Sequence, residues 1–587
     1  MRFLFKNEEG ALKEAAVSLS KATGLSFLAS TVCVNRGIST PEAVDAFFHP
    51  KLESLSHPFT ILNLERAAVR ILDSQQGGLP EKIRVFTDYD VDGTTGAALL
   101  TWFFRDLGFN FDVVQPDRFR DGYGLNVGAV ERAKEEGVRL LITVDCGITN
   151  FAAARKAKEL GVELIIVDHH LVDPAYGVPD AFAVIDPQQE GDSSGLKQLC
   201  GCALGFYLCM GIRMKARESG YFQDRKIPEP KLRSLLDLVV IATAADMVPL
   251  TGDNRTLVRH GLQVLRDTDK PGLKEIMRAA GIEVKTVSPS NLGFALGPRI
   301  NASGRMGSAE TAYRCLTTRD PSEGRALAEQ LERVNAERAE LQNQIWDQVR
   351  EMVQVGLAEG RFSHAIVVAS ADWHEGVVGI VASRVTDFFK KPAVILAIRE
   401  DGIAKGSVRS HGGYNVLEAL HLTNEKLAGY GGHKYAAGLS LRKEDLPGFV
   451  EGYNRNMAFL VPAEKDDCLK LEARCSLEDL EESVLGELEN LAPFGPGNPE
   501  PLFGVEAHVA DQRILKGRHL KLRLASQKVG AFEGIWFNAA ERLESTELVE
   551  ISAQHKKSCL FAGIPEINRF MGKKTPTLRI KDARLMI

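Results

Sequence analysis

Acidic and imidazole side chains recur in this chain directly after short apolar runs. Arg84-Val85-Phe86 opens into Thr87-Asp88-Tyr89-Asp90-Val91-Asp92-Gly93-Thr94, which sets three aspartates at alternate positions. Leu140-Leu141-Ile142-Thr143-Val144 ends at Asp145-Cys146-Gly147, and Leu164-Ile165-Ile166-Val167 ends at Asp168-His169-His170. Carboxylates crowded at one point repel one another unless a cation sits among them. Oxygen ligands suit hard ions such as Mg²⁺, and the added imidazoles make Mn²⁺ at least as suitable. Such a centre fits metal-assisted hydrolysis, with two ions about 3.5–4 Å apart activating a water and stabilising the leaving oxygen. Asp145 is the candidate bridging ligand, because one carboxylate can span two ions. Asp88, Asp90, Asp92 and His169 are the further candidate ligands.

The fold must bring these distant residues together. From 83 to about 187, apolar runs at 83–86, 140–144, 164–167 and 183–185 alternate with amphipathic segments at 126–137 and 150–161. That pattern predicts a mostly parallel sheet covered by helices. Ligands bind beyond the carboxyl ends of the strands in such sheets, and each acidic cluster follows one of those ends. The run 235–245 ends at Asp246; its periodicity leaves helix and strand both open, and a lone aspartate there fits a helix cap as well as a metal ligand.

A chain of 587 residues divides into several cores, and 44% hydrophobic with 26% charged residues is the composition of a globular protein. The net charge of −6 restricts any nucleic-acid surface to a local groove. Nine scattered cysteines lack zinc-site or disulfide-scaffold spacing and read as reduced core thiols. The N-terminus lacks an apolar signal region and no apolar run is long enough to span a membrane, so a cytoplasmic protein is expected.

Five segments follow. Residues 1–80 read as an N-terminal helical lead-in, with Ser39-Thr40-Pro41-Glu42 supplying a helix start, and 81–320 as the catalytic domain. Residues 321–360 form one long helix with a narrow apolar seam at 327, 331, 334, 341, 345, 349 and 352. It reads as a connector, with a coiled-coil dimer the alternative, although Arg338 interrupts the seam. Residues 361–460 restart strand signals as a second α/β domain, carrying Gly406-Ser407-Val408-Arg409-Ser410 and Gly429-Tyr430-Gly431-Gly432-His433-Lys434. Glycines admit an anion to the backbone and Arg409 can grip phosphate oxygens in pairs, whereas a glycine-rich turn alone is also a plain tight turn. No Walker A signature is present, which disfavours an ATP-driven helicase. In 461–587, with the composition changing at about residue 466, Leu520-Lys521-Leu522-Arg523-Leu524 alternates apolar with basic, and Phe532, Trp536 and Phe537 lie just beyond. This fits an OB-like module that tracks a single strand, or equally a solvated strand face over an aromatic core.

Taken together, Asp88-Tyr-Asp90-Val-Asp92-Gly93, Val144-Asp145-Cys-Gly147, Asp168-His169-His170 and Ala245-Asp246 resemble the DHH phosphoesterase superfamily. More narrowly, the chain resembles its RecJ family of single-strand-specific 5′→3′ exonucleases. The stretches 116–124, 297–305, 373–384, 406–410 and 431–438 extend the likeness from about residue 30 to the C-terminus. Thr87 stands where the family commonly has Gly, and Cys146 where Asn is usual. The resemblance implies that Asp246 completes the metal ligands, that His170 faces the scissile phosphate, that Ser407 and Arg409 hold a 5′-terminal phosphate, and that Arg299 and Arg305 hold neighbouring ones. Arg118, Asn301, Trp373, His374, His433, Lys521 and Arg523 are the further expected strand contacts. A groove between the two α/β domains would admit only an unpaired strand. The implied partners are single-stranded DNA, single-strand-binding protein and a RecQ-type helicase, with a monomer as the default state. Two other readings remain: a DHH phosphoesterase of short oligonucleotides or cyclic dinucleotides, and a non-catalytic nucleic-acid-binding scaffold.

Overall fold

The computed structural model describes residues 2–6, 10–76, 78–461, 468–526, 528–529, 531–539, 558–570 and 573–586. The compositional change near residue 466 therefore falls among residues 462–467, outside the described residues. Among those described, no helix is long and apolar enough to cross a membrane.

The first 80 residues differ from a single helical lead-in. Strand β1 (Arg2–Phe5) runs parallel to Cys468–Leu471 near the far end of the chain. Helices Ala11–Thr23, Phe27–Asn35 and Pro41–Phe48 bury Leu19, Val32, Val44 and Phe48 in the core of the C-terminal module. Helix Leu64–Asp73 joins the catalytic core instead, through Leu64, Ala68 and Ile71, with Leu52, Phe59 and Ile61 of the preceding turns. Sequence position gave no hint of this split, because apolar helical faces do not name their partners.

The first α/β domain holds β2 (Lys82–Thr87), β3 (Phe111–Val114), β4 (Val138–Val144), β5 (Glu163–Val167) and β6 (Ala183–Ile185), all parallel in the order β3-β2-β4-β5-β6. Strand β3 is an addition to the four predicted. Side chains alternate between the two faces of the sheet. Val85, Ile142, Val144 and Ile165 pack under helices Val91–Leu107 and Gly201–Glu218, while Phe86, Leu141, Leu164 and Ile166 meet Val127–Glu135 and Phe151–Glu159. The ambiguous run is helix Leu236–Ala245, apolar on every side because it is buried on every side.

Helix Pro321–Ala358 links the two α/β domains. Its ends are core elements in their own right. Leu327 and Leu331 lie in the first domain's core, and Ile345, Trp346, Val349 and Val353 in the second's. The second domain pairs β7 (Ile366–Ser370), β8 (Ala393–Ile398), β9 (Ile403–Arg409), β10 (Gly429–His433) and β11 (Ala436–Arg442) in the order β10-β11-β9-β8-β7. Beyond β12 (Cys468–Leu471) and β13 (Arg474–Ser476), strands β14 (Phe503–Leu515), β15 (His519–Ala525), β16 (Phe532–Trp536), β17 (Ser558–Phe570) and β18 (Lys573–Leu585) pair as β14-β15-β16-β18-β17. An additional β14–β17 pairing closes them into a barrel of OB type.

Candidate metal and phosphate site

Strand register assembles the acidic rim. Thr87 pairs with Val144, Val144 with Val167 and Val167 with Ile185, so the next residue on each strand, Asp88, Asp145, Asp168 or Asp186, leaves the sheet at one level. Asp90 caps helix Val91–Leu107, its Oδ1 accepting from Gly93 N–H at 3.1 Å. Gly93 is fixed by space, since a Cβ there would come within 2.5 Å of the Asp88 carbonyl oxygen. Asp92, in the first turn, accepts the N–H groups of Gly201 (2.6 Å) and Cys202 (2.8 Å) at the start of helix Gly201–Glu218. Asp145 adopts φ 62°, and a Cβ on Gly201 would lie 2.8 Å from its Cβ.

His169 joins the carboxylates. Its Nε2 lies 3.2 Å from Asp145 Oδ1 and 3.6 Å from Asp92 Oδ2, and its Nδ1 lies 3.8 Å from Asp246 Oδ2. Asp246 reaches this point as the C-cap of helix Leu236–Ala245. Three overlapping donor sets result: Asp88, Asp90 and Asp145; Asp92, His169 and Asp246; Asp145, His169 and His170. Asp88 Oδ1 and Asp246 Oδ2 are buried without a hydrogen-bond partner. Burial, then the neighbouring aspartates, push the Asp88, Asp92 and Asp145 carboxyls above the usual range, and Asp246 up to about 8. Unsatisfied oxygens among mutually repelling carboxylates are the signature of a divalent cation site, so the residues present fit such ions.

Asp168 stands beneath this cluster. Its Oδ1 accepts from the His169 and His170 amides and lies 2.7 Å from His170 Nδ1, while Oδ2 accepts from Ile148 N–H. Burial opposes its charge, but these bonds and His170 hold its carboxyl below the usual range. Burial likewise opposes the His170 cation, yet the Asp168 bond pushes it up to about 9. Tyr123 OH donates to the Asp145 carbonyl at 3.4 Å and sits 3.4 Å from His170 Nε2. Thr87 now has an account: its hydroxyl donates to the Asp88 carbonyl, joined there by the Gln115 amide, which also reaches Thr94. Cys146 is buried, and burial raises its thiol well above the ordinary range.

Cations gather beside the rim. Arg118 lies over the Tyr89 ring at 5.1 Å, and Gly304 packs on the same loop, with room for no Cβ 2.8 Å from the Tyr89 carbonyl. Arg305 is pressed down to about 10 by burial, then by Arg118 and Arg338. Ser407 and Arg409 meet at the first turn of helix Val378–Phe389, where a Cβ on Gly379 would stand 2.9 Å from Ser407 Oγ and 3.3 Å from an Arg409 nitrogen. Arg409 also donates to Ser383 Oγ at 3.2 Å. Among the described residues no carboxylate pairs with Arg118, Arg305 or Arg409 within 4.0 Å. His374 stacks edge-on with Phe119 at 5.5 Å.

Other expected contacts stand elsewhere. The Arg299 guanidinium is clamped by Glu332 and the Ala295 carbonyl, so it is already neutralised; Asn301 is half-buried on the same helix. Trp373 is a core residue whose Nε1 donates to Gln348 at 2.7 Å, which removes it from base stacking. His433 is exposed on the edge strand β10. The face of β15 is mixed rather than basic: Lys521 pairs with Glu533 at 2.7 Å, and Arg523 stands in register with Asp511 and Glu533. Phe532 and Trp536 are core, leaving Phe537 exposed against His519. Sequence reading passed over Asp186, buried with Oδ2 unpartnered and its carboxyl pushed up to about 7 by burial first. Its signal was available, since it follows the run 183–185 as the other aspartates follow theirs.

Known proteins agree with this architecture. Family models match for the DHH family N-terminal domain at residues 82–243, the DHHA1 domain at 363–458 and the RecJ OB domain at 471–582. The single-stranded-DNA-specific exonuclease RecJ of Bacillus subtilis is 36% identical over 96% of this chain and 69% of its own length. Its Escherichia coli counterpart is 33% identical over 84% and 86% respectively. The crystal structure of RecJ from Thermus thermophilus in complex with Mn²⁺ superposes with a TM-score of 0.80 at 28% identity, covering 99% of this chain and 79% of that one. A Mg²⁺ complex of the same protein gives a TM-score of 0.74. A metal-dependent phosphodiesterase centre, three matching domains and relatives alike over most of both chains lead to one assignment: the chain belongs to the RecJ family of single-stranded-DNA-specific exonucleases.

Proposed function

We propose that the chain removes mononucleotides stepwise from the 5′ end of single strands, using two divalent ions, Mn²⁺ or Mg²⁺, in cytoplasmic DNA repair and recombination. One observation carries this reading: a carboxylate–imidazole centre lies beside arginines that, among the described residues, no carboxylate pairs with within 4.0 Å. Buried cations without counter-charge are costly, and an arriving phosphate removes that cost. Ser407, Arg409 and the start of helix Val378–Phe389 would take the terminal phosphate, with Arg118 and Arg305 beside them.

Asp88, Asp90, Asp92, Asp145, His169 and Asp246 would hold the ions, with Asp145 shared. What divalent cations would supply there when bound is charge neutralisation at the phosphate and a more acidic, oriented water. Asp168 keeps His170 protonated and oriented, so that its Nε2 can donate a hydrogen bond to the phosphate as charge develops. Tyr123 steadies that nitrogen. Single-strand-binding protein and a RecQ-type helicase are the proposed partners, with the chain acting as a monomer.

The test uses purified protein with Mn²⁺ and single strands, duplexes and dinucleotides labelled at either end. Release of 5′ label as mononucleotide from long single strands alone is expected. Release of 3′ label first, or cleavage confined to dinucleotides, would overturn the proposal.

A further inference from the structure

The inward stripe of helix Pro321–Ala358 changes character where it leaves one core and has not yet entered the next. It runs Leu327, Leu331, Asn335, Arg338, Gln342, Ile345 and Val349, in steps of four and three residues. Leu331 and Ile345 are buried in their respective cores, whereas Asn335, Arg338 and Gln342 are half-buried between them. Val334 and Leu341 are half-buried beside them, Leu341 against the second core, so the polar side chains line one edge of the gap. The Arg338 guanidinium is held by neutral oxygens of its own helix, Gln342 Oε1 and Asn335 Oδ1, each at 2.7 Å. Those bonds use the amide oxygens and leave the two NH₂ groups as donors.

No carboxylate lies within 4.0 Å of Arg338 among the described residues, in contrast to Arg299 one helix away, which Glu332 neutralises. Burial and the Arg299 charge bear on Arg338, Arg118 bears on Arg409, and Arg305 feels both Arg338 and Arg409. Two cationic points therefore bear on Arg305. One is the pocket of Ser407 and Arg409; the other is the middle of the long helix, which no motif marked.

We propose that this two-turn strip is a contact surface for the sugar–phosphate backbone of the strand, in which Arg338 pairs with an internal phosphodiester rather than the 5′ end. Asn335 and Gln342 preset its fork and add donors of their own. The long helix thus serves as a wall of the substrate groove as well as a connector. The inference rests on the single-strand nuclease reading.

Binding of a fluorescent oligothymidylate in EDTA tests it, because hydrolysis is then silent. Arg338→Gln should weaken binding about tenfold, as expected for loss of one charge-assisted pair, equally for 5′-phosphate and 5′-hydroxyl strands. It should also flatten the slope of log Kd against log salt by about 0.7, the share of one phosphate on a single strand. Arg338→Lys keeps the charge and should keep the slope. A merely structural arginine would lower the melting temperature and leave the slope unchanged. An unchanged slope in Arg338→Gln, or a loss confined to 5′-phosphate strands, overturns the proposal while the parent chain still binds. Failure of the parent chain to bind oligothymidylate overturns the underlying reading as well.

Discussion

Gly201 offers a way to disturb the metal centre without touching a ligand. A Cβ at this position would lie 2.8 Å from Asp145 Cβ, 2.9 Å from its Cα and 3.1 Å from its nitrogen. Carbon atoms rest at about 3.5–4.0 Å, so Gly201→Ala must separate the helix start from Asp145 by roughly 0.7–1.2 Å. The same helix start supplies the two amides that hold Asp92 at 2.6 and 2.8 Å. Movement of that size stretches both bonds to about 3.5 Å, beyond useful hydrogen-bond length. Overpacking of this kind costs about 1–3 kcal/mol of stability. A displacement of about 1 Å near reacting groups costs on the order of 100-fold in rate. Gly205→Ala is the control on the same helix, because its Cβ would meet Leu99 Cδ2 at 3.9 Å, an ordinary contact. The assay is release of 5′ label from a long single strand across a Mn²⁺ titration, with melting temperatures in parallel. Gly201→Ala should be folded, slow and dependent on higher Mn²⁺, while Gly205→Ala behaves as the parent. Parent-like rates and Mn²⁺ requirement in folded Gly201→Ala would refute the claim that the helix start positions the centre.

Asp145→Ala should abolish hydrolysis in excess Mn²⁺ while strand binding persists; near-normal rates would remove Asp145 from the shared-ligand role. Arg409→Ala should blunt the preference for 5′-phosphate over 5′-hydroxyl strands, and equal losses on both would contradict a terminal-phosphate site. Arg255 donates to the carbonyls of Phe47, Leu491 and Ala492 at 2.9–3.0 Å and lies 3.5 Å over the Phe47 ring, tying N-terminal helices, catalytic domain and barrel together. Arg255→Ala strands three carbonyls and should cost about 3–5 kcal/mol, splitting one calorimetric transition into two; a single unshifted transition counts against the staple. In metal-free protein, Asp168→Asn should destabilise most below about 6.5, the ordinary histidine value, where charged His170 contributes in full. That contribution falls away as pH rises through about 9, so the gap in melting temperature between parent and variant should narrow there, and a gap independent of pH would disprove the ion pair.

The rim was legible because parallel strands announce themselves as apolar runs and their register follows from covering helices. Once 83–86, 140–144 and 164–167 are strands in one sheet, Asp88, Asp145 and Asp168 have nowhere else to go. Asp246 was harder, since a helix buried all round has no period to read, and only its C-cap position brings the carboxylate to His169. Roles failed to follow from residue type where a side chain had a local partner. Trp373 found a core and Gln348, Arg299 found Glu332, and Lys521 found Glu533. None of those partners is near in sequence, so an arginine committed to a carboxylate and one kept for phosphate look alike in one dimension. Arg338 makes the point from the other side. In sequence it is a flaw in an apolar seam; with two cores fixed at either end of its helix, the flaw falls between Leu331 of the first core and Leu341, which packs on the second. The polar break lies between the two cores, which is the position that the proposed phosphate contact at Arg338 requires.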